Sequence, residues 1–301
     1  MARFRVEPER AGTRVDHFVA AVLPGLSVAA ARRLLESGAV RVDGRVGKKG
    51  ARVAAGQTVE VEDAEGARAA PDARRVVADP DAPLVVLLVD AAFVAVDKPA
   101  GVPAHPNVAG ERGTAANAIV ARFPECAGAS PDPREGGLCH RLDTGTSGVL
   151  VAARSPAAWS ALRAALSGPG CEKTYLAEVV GSPAATGESH AAIGRVGRRG
   201  ARVRVDGGRH PLPAHTTWEV VEPRAETALV RVRLAKGRTH QVRAHLAAAG
   251  HPIVGDDLYG GGDYGDGSLH LHAAAVQFVH PDTGRTILVA APPPGWAKIR
   301  A

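Results

Sequence analysis

The sequence has few of the residues that staple small secreted domains. Its 301 residues include three cysteines, Cys126, Cys139 and Cys171, with no CxxC spacing. An odd, scattered set forms neither a disulfide framework nor a zinc knuckle, and reduced thiols make the cytoplasm the expected location. Long apolar runs are missing too. None exceeds the length of Leu84 to Val89, against the roughly 20 residues that a membrane-spanning helix needs, so no membrane partner is expected. Met1 to Arg10 alternates charged with small apolar residues and lacks the apolar core of a signal peptide. Aromatic residues make up only 4%, which argues against a surface that stacks base after base on aromatic rings.

What is present is enough apolar residue (45%) to fold without staples, as one large domain or one domain plus a small one. Charge is unevenly placed. The net value is +6, from 37 basic and 31 acidic residues. Between Ser27 and Val53, Arg32, Arg33, Arg41, Arg45, Lys48, Lys49 and Arg52 stand against Glu36 and Asp43, a local net charge of +5. His190 to Arg204 carries five arginines and no acid. Such stretches favour a polyanionic partner.

Three regions follow from the patterning. In residues 1–62, Val15, Phe18, Val19 and Val22 recur at helical spacing up to a stop at Pro24-Gly25. Ser27 can cap a second helix carrying Ala31, Leu34 and Leu35 and ending at Gly38. Val40 and Val42, an Asp43-Gly44 turn and Val46 read as a hairpin, with Gln57 to Val61 as a closing strand. Residues 63–83, rich in Ala, Pro, Asp and Arg without period, read as a linker. From residue 84 to 301, strand-like runs dominate: Val85–Val89, Phe93–Asp97, Val149–Ala153, Thr174–Val180, Thr216–Val221, Thr227–Leu234, Leu269–Val279 and Thr286–Ala290. Helices are expected at Thr114–Phe123, after Pro156, and at His240–Ala249. Strands that follow one another with few crossovers predict an α+β fold on a largely antiparallel mixed sheet with flanking helices.

Chemistry concentrates in Gly136 to Arg154, GGLCHRLDTGTSGVLVAAR. His140-Arg141-Leu142-Asp143 ends a strand-like approach, and a new strand starts at Val149. An Asp at such a turn is presented on fixed backbone, with Thr146, Ser147 and nearby amides placed to hydrogen-bond it, which suits a carboxylate nucleophile. On spacing alone, an Asp that caps its own turn is the commoner reading.

HRLDTGTSG resembles the HRLDxxTSG signature of the RluA-type pseudouridine synthases. Further segments resemble that family in its order: Asp97-Lys98-Pro99-Ala100-Gly101 with His105-Pro106, Lys173-Thr174-Tyr175, and Gly237-Arg238-Thr239-His240-Gln241-Val242-Arg243. His251 to Asp256 with Tyr259-Gly260-Gly261, and Leu269 to Ala273, complete the series. Thr13 to Val61 is similar to the small RNA-binding domain of ribosomal protein S-four, which several of these synthases carry in front.

The resemblance implies isomerisation of uridine within RNA, without cofactor or metal. Asp143 would be the nucleophile, attacking either the anomeric carbon or the uracil ring, and Arg238 the cation beside it. Tyr175 would pack on the target base and assist loss of the carbon-five proton. Arg141 would hold the flipped or vacated position and Lys173 would reach phosphate or support the site. His240, Gln241 and Arg243, opening a helix, would contact RNA, or else serve helix capping and packing. Arg32, Arg33, Arg41, Lys48 and Lys49 would be the basic face of the small domain. The expected substrate is large-subunit ribosomal RNA, with transfer RNA as the alternative, acted on by a monomer. A catalytically silent RNA-binding or assembly factor would lack one of Asp143, Tyr175 and Arg238, and all three are present. A carboxylate hydrolase wants a second, paired acid, and the motif has none. Thr144 departs from the Lys or Arg usual after the family's aspartate, and the acidic turn before Phe93 is reduced to Asp90-Ala91-Ala92.

Other signals carry less. His270, His272 and His280 suit a half-buried strand better than a metal site. Cys139 and His140 are neighbours on a strand and point to opposite faces, so they form no dyad. Gly260 to Gly267 lacks the Lys-Ser/Thr ending of a phosphate loop and is expected to be mobile. Arg195 to Arg204 reads either as a solvated hairpin or as a contact to RNA backbone.

Overall fold

The structure is a computed structural model that describes residues 1–23, 26, 28–48, 50–62, 75–197, 202–262 and 267–299. The chain divides into two compact units, Met1–Ala73 and Arg74–Ala301. Among the described residues, no helix is long and apolar enough to cross a membrane.

In the first unit, helices α1 (Val15–Val22) and α2 (Val28–Glu36) lay their apolar stripes together. Phe18, Val19, Ala31, Leu34 and Leu35 close over Val40, Val59 and Val61 in one core. The sheet is formed by β1 (Ala2–Arg5), β2 (Val40–Val42), β3 (Arg45–Val46) and β4 (Thr58–Val61), in the order β1-β4-β2-β3. Asp43 and Gly44 both have positive φ, 50° and 75°, as a tight turn between antiparallel strands requires. Strand β1 is an addition to the sequence reading. Its alternation is only four residues long, too short to stand out from a polar leader. The expected stop at Pro24-Gly25, the cap at Ser27, and Lys49 lie outside the described residues.

The second unit is built on a nine-stranded sheet. Strands β5 (Val85–Val89), β6 (Phe93–Lys98), β7 (Ser147–Ala153), β8 (Glu172–Val180), β9 (Thr186–Ser189), β13 (Thr216–Pro223), β14 (Thr227–Leu234) and β15 (Leu271–Val279) run β5-β6-β7-β15-β8-β14-β13-β9, and β16 (Thr286–Ala290) joins β15. All pairs are antiparallel except β15 with β7. Strand β6 is buried on both faces, as its unbroken apolar run implies. Val94 and Val96 pack with Ile119 and Val120 of α3 (Ala115–Arg122), and Phe93 and Ala95 with Leu162 of α4 (Pro156–Ala165). Thr114 caps α3 in a box with Asn117, and Ser155 caps α4 ahead of Pro156. Helix α5 (Gln241–Ala248) packs Val242 and Leu246 onto Val230, Val232 and Leu234. Gly148 has φ 108°, and a Cβ there would strike the Ala273 carbonyl. Only glycine lets β7 start against β15 at this point.

One expectation changes, and one of two open readings is met. Residues 75–83 are not linker: Val76 is buried with its amide on the Pro133 carbonyl, and the Asp79 amide bonds the Asn117 carbonyl. They fold with the second unit; residues 63–74 lie outside the described set. The arginine-rich stretch is a hairpin, β10 (Ile193–Val196) with β11 (Arg202–Val205), to which β12 (Arg209–Leu212) adds a third strand. Short Arg-Val alternations hide their apolar face, yet Ile193 and Val203 are buried with Ala244 of α5.

The first unit also reassigns one basic residue. Asp16 is 2% exposed and receives Nε and a terminal nitrogen of Arg14 at 3.0 and 2.7 Å, and Nε of Arg32 at 2.7 Å. Arg32 therefore joins α2 to α1, whereas it was expected on the RNA-facing side. Arg41 bonds the Gly44 carbonyl and stands 3.7 Å from Glu62, Arg33 is half-buried, and Lys48 is exposed. Burial opposes ionisation of Asp16, but the hydrogen bonds from Arg32 and Arg14 outweigh it and hold its pKa at about 2. Because the folded value is depressed below the ordinary carboxylate range, this stabilisation is present above about pH 4 and is lost as pH falls toward 2. Asp16→Asn should lower the opening free energy of α1 and α2 by about 1–2 kcal/mol at pH 7, allowing for the partial exposure of both arginines. Amide hydrogen exchange checks this, and the deficit should shrink toward pH 3.

Candidate active site

The turn ahead of β7 is fixed before any of its side chains acts. The Thr146 amide donates to the Asp143 carbonyl at 3.0 Å, and the Gly101 amide to the Thr144 carbonyl at 2.9 Å. Lys98, at the end of β6, is fully buried beneath it. Its ammonium donates to the carbonyls of Pro99, Val102 and Thr144 at 2.8, 2.6 and 3.1 Å, a full set for three protons. Burial lowers its pKa to about 8, against the pull of the Asp143 and Asp97 charges, so it remains a cation at neutral pH. The sequence reading quoted Lys98 within a motif and gave it no task. A lysine that ends an otherwise buried strand is the signal that could have found it.

The Asp143 carboxylate faces helix α5. One terminal nitrogen of Arg243 donates to Asp143 Oδ2 at 3.0 Å, and His240 Nε2 lies 3.6 Å from the same oxygen. Arg243 is itself held from behind. Asp256, with no exposed side-chain surface, takes its Nε and other terminal nitrogen at 2.7 and 2.8 Å in a two-pronged pair. The amides of Leu258 and Tyr259 donate to Asp256 in turn, each at 3.2 Å. Burial alone would weaken the Arg243 cation, but Asp256 and then Asp143 outweigh it and raise its pKa further.

His240 caps α5 with φ 52°, in the left-handed region. Its Nδ1 is 3.2 Å from the Tyr259 hydroxyl, and the two rings meet edge to face. Burial pushes its pKa down, opposed by Asp143, so the imidazole is neutral at pH 7. The guanidiniums of Arg243 and Arg202 both sit over the Tyr259 ring, at 5.3 and 5.2 Å.

Tyr175 on β8 pairs across to Val232 and Ala273 and lines the same pocket as Asp143. A narrow cavity of about 50 Å³ adjoins a wider one of about 290 Å³, and both are lined by Arg141, Asp143, Tyr175, Gly237 and Arg238. Burial, reinforced by the Asp143 charge, raises the Tyr175 phenol above its ordinary pKa. It offers a neutral ring and an O–H donor, not a phenolate base.

Several expected roles move. Arg238 lines both cavities, but its Nε donates to the Pro213 carbonyl at 3.3 Å, and the cation on Asp143 is Arg243. Arg243 points inward because the third residue of α5 falls on the helix face covered by the Asp256 loop, so it is not the outward RNA contact expected of it. Gln241 is 2% exposed, with its amide nitrogen on the His215 carbonyl and Thr216 Oγ1 at 2.8 and 3.0 Å and its oxygen accepting from the Arg238 amide. It anchors the helix start. Lys173 lines the wider cavity, but its ammonium is directed at the Leu166 carbonyl at 2.9 Å, and burial lowers its pKa. Arg141 is exposed at the mouth. Ser147 bonds His272, not Asp143. His270 pairs with Glu178 and His280 with Asp90, so these histidines do not converge.

Comparison with known proteins places the chain in a family. The sequence model described as RNA pseudouridylate synthase matches residues 92–248, and that of the S4 domain matches residues 13–59. The chain is 38% identical over 301 residues to an uncharacterized RNA pseudouridine synthase of Chloroflexus aurantiacus, covering 98% of this chain and 90% of the relative. It is 36% identical over 304 residues to the ribosomal large subunit pseudouridine synthase D of Xanthomonas campestris, covering 96% and 88%. Among solved structures, human RNA pseudouridylate synthase domain containing 1 superposes with a TM-score of 0.56 and 29% identity, over 70% of this chain and 83% of that one. The protein belongs to the RNA pseudouridylate synthase family, isomerases that convert uridine to pseudouridine in RNA, and it carries an S4 domain in front.

Lys98 gives the site a test of its own. Lys98→Met keeps the stem but strands the Pro99 and Val102 carbonyls under the Asp143 turn and leaves the Thr144 carbonyl only its Gly101 amide, so stability should fall by roughly 2–4 kcal/mol. Urea unfolding of the second unit measures that loss, and turnover should fall below the folded fraction because the turn is no longer fixed.

Proposed function

We propose that this enzyme isomerises uridines of large-subunit ribosomal RNA with Asp143 as its nucleophile. The observation that carries the reading is the contact of Arg243 with the Asp143 carboxyl oxygen at 3.0 Å, in a pocket walled by Tyr175. A carboxylate there can attack only a base that has left its stack, so the target nucleotide is flipped in. Net chemistry breaks the bond from uracil N1 to C1′, turns the ring and joins C5 to C1′. The C5 proton leaves and N1 gains one, so no cofactor or redox step is required. In either route, through the sugar or through the ring, the carboxylate must be charged, and Arg243 favours that form. The neutral Tyr175 ring packs on uracil, and Arg141 and Arg238 at the cavity edge meet the RNA backbone. Ribosomal RNA is the substrate class because a full-length relative carries that name. The S4 domain, with Arg33, Arg41 and Lys48, supplies sequence-independent phosphate contacts.

Asp143→Asn should bind RNA within a few fold of the parent and form no pseudouridine, since the amide keeps the shape without the nucleophile. Product formation by that variant would end the assignment. Arg243→Met should slow single turnover by about 100-fold or more, while Arg238→Met should act mainly on RNA affinity. Pseudouridine mapping of total RNA with and without the gene tests the substrate: loss confined to transfer RNA would overturn the ribosomal reading.

Removing Met1 to Ala73 should weaken affinity and flatten its dependence on salt, because fewer phosphates are neutralised and fewer counterions released. Single turnover at saturating RNA should survive. Binding constants at several salt concentrations, with rates for both forms, provide the check.

A further inference from the structure

Tyr259 stands where the inserted sheet meets the catalytic carboxylate's surroundings. Strand β11 is the outer strand in the order β11-β10-β12, so among the described residues one of its edges has no strand beside it. The Tyr259 hydroxyl takes the place of that missing neighbour. The Val203 amide donates to it at 3.0 Å, and the Val203 carbonyl lies 3.4 Å away. The same hydroxyl is 3.2 Å from His240 Nδ1. At the far end of the imidazole, His240 Nε2 lies 3.6 Å from Asp143 Oδ2.

A neutral imidazole carries one N–H, so the protons of this chain have two arrangements. With the proton on Nδ1, Tyr259 accepts twice, its own proton turns to the Val203 carbonyl at 3.4 Å, and a bare Nε2 lone pair faces the Asp143 carboxylate. With the proton on Nε2, Tyr259 donates along the shorter path to Nδ1, and the Nε2–H faces the carboxylate. The second arrangement has the better geometry at one end and replaces a repulsion by an attraction at the other.

We propose that Tyr259 is a positioning residue that fixes His240 as its Nε2–H tautomer and aims this N–H at Asp143 Oδ2, a role that rests on Asp143 being the nucleophile. It goes further by giving the two carboxyl oxygens different tasks. Arg243 donates to Oδ2 at 3.0 Å and His240 approaches the same atom, which leaves Oδ1 without a hydrogen bond among the described residues. Oδ1 is then the oxygen that attacks, while Oδ2 is held. The 3.6 Å gap is wider than a hydrogen bond and closes when the flipped nucleotide fills the pocket. The inserted sheet gains a task as well. Its Val203 amide orients the hydroxyl that sets the tautomer, so β11 acts on the site without touching the reacting atoms.

Tyr259→Phe isolates the hydroxyl, because the ring stays under the guanidiniums of Arg243 and Arg202. Nuclear magnetic resonance of the full chain labelled with ¹⁵N, at about pH 8 where histidine is neutral, reads the tautomer directly, since protonated and bare ring nitrogens resonate far apart. The His240 signals are those lost in His240→Gln. The parent should show Nε2–H with Nδ1 bare, and Tyr259→Phe a mixture or the opposite tautomer. This measurement needs no activity, so its failure is distinct from failure of Asp143 as nucleophile. In single turnover at saturating RNA, Tyr259→Phe should be slower by about tenfold, with affinity unchanged. A glutamine side chain offers an amide N–H that has no tautomer to set. In the His240→Gln background, Tyr259→Phe should therefore cost less than about twofold, whereas a merely structural role would cost the same in both backgrounds. Amide spectra verify that the variants fold. A parent in the Nδ1–H form, or a tautomer unchanged in Tyr259→Phe, would overturn the proposal, as would equal losses of rate in the two backgrounds.

Discussion

The Asp256–Arg243–Asp143 chain of contacts is the constraint around which the catalytic unit is arranged. A carboxylate in a half-enclosed pocket remains charged when a cation is fixed beside it, and a guanidinium is fixed only if its other nitrogens are occupied. Asp256, wholly buried, occupies two of them. What is left of Arg243 points at Asp143 and nowhere else. Each of the three residues comes from a different segment, and each segment has its own anchor: Lys98 under the Asp143 turn, Gln241 at the start of α5, and the Asp256 loop folded tightly against residues 268–269. That last approach depends on Gly255, whose φ is 74° and where a Cβ would strike the Ser268 carbonyl.

Electrostatically the site separates groups that stay charged from groups that stay neutral. Lys98 and Arg243 are cations with filled valences, one beneath the turn and one beside the carboxylate. His240 and Tyr175 are driven to their neutral forms by burial, one below and one above its ordinary pKa. The Asp143 carboxyl group thus lies among neutral ring surfaces, and Arg141 and Arg238 stand at the cavity edge. In the wider cavity Lys173, whose pKa burial lowers, is directed at the Leu166 carbonyl.

The strands were legible in the sequence wherever both faces are buried, as in β6 and β14, and the helices wherever a cap or a proline announces them, as at Thr114 and Pro156. The short strands β1 and β12 were not, and the hairpin of β10 with β11 was one of two readings, because Arg-Phe-Arg and Arg-Val-Arg alternations are indistinguishable from solvated polar chain until something packs on the apolar side. The motif residues were legible as a set, but their partners were not. Arg238 and Arg243 share one segment, and nothing in its spacing tells which reaches Asp143. That choice is made by helix phase together with Asp256, thirteen residues beyond Arg243. Gln241 could be read as an RNA contact or as a helix cap, and Lys173 as a phosphate contact or a support for the site; hydrogen bonds to backbone carbonyls, of His215 and of Leu166, turn each inward. Arg32 was drawn in the same way by buried Asp16.

The most direct measurement of the central claim is the single-turnover rate of Asp256→Asn at saturating RNA. Asparagine keeps the volume and one hydrogen bond but no longer holds Arg243 in a charged fork, and it does not touch substrate. The rate should fall by about 10- to 100-fold, as for loss of a residue that orients a catalytic group, with RNA affinity unchanged. A rate equal to that of the parent would show that Arg243 needs no such hold, and that the charge on Asp143 is maintained by other means.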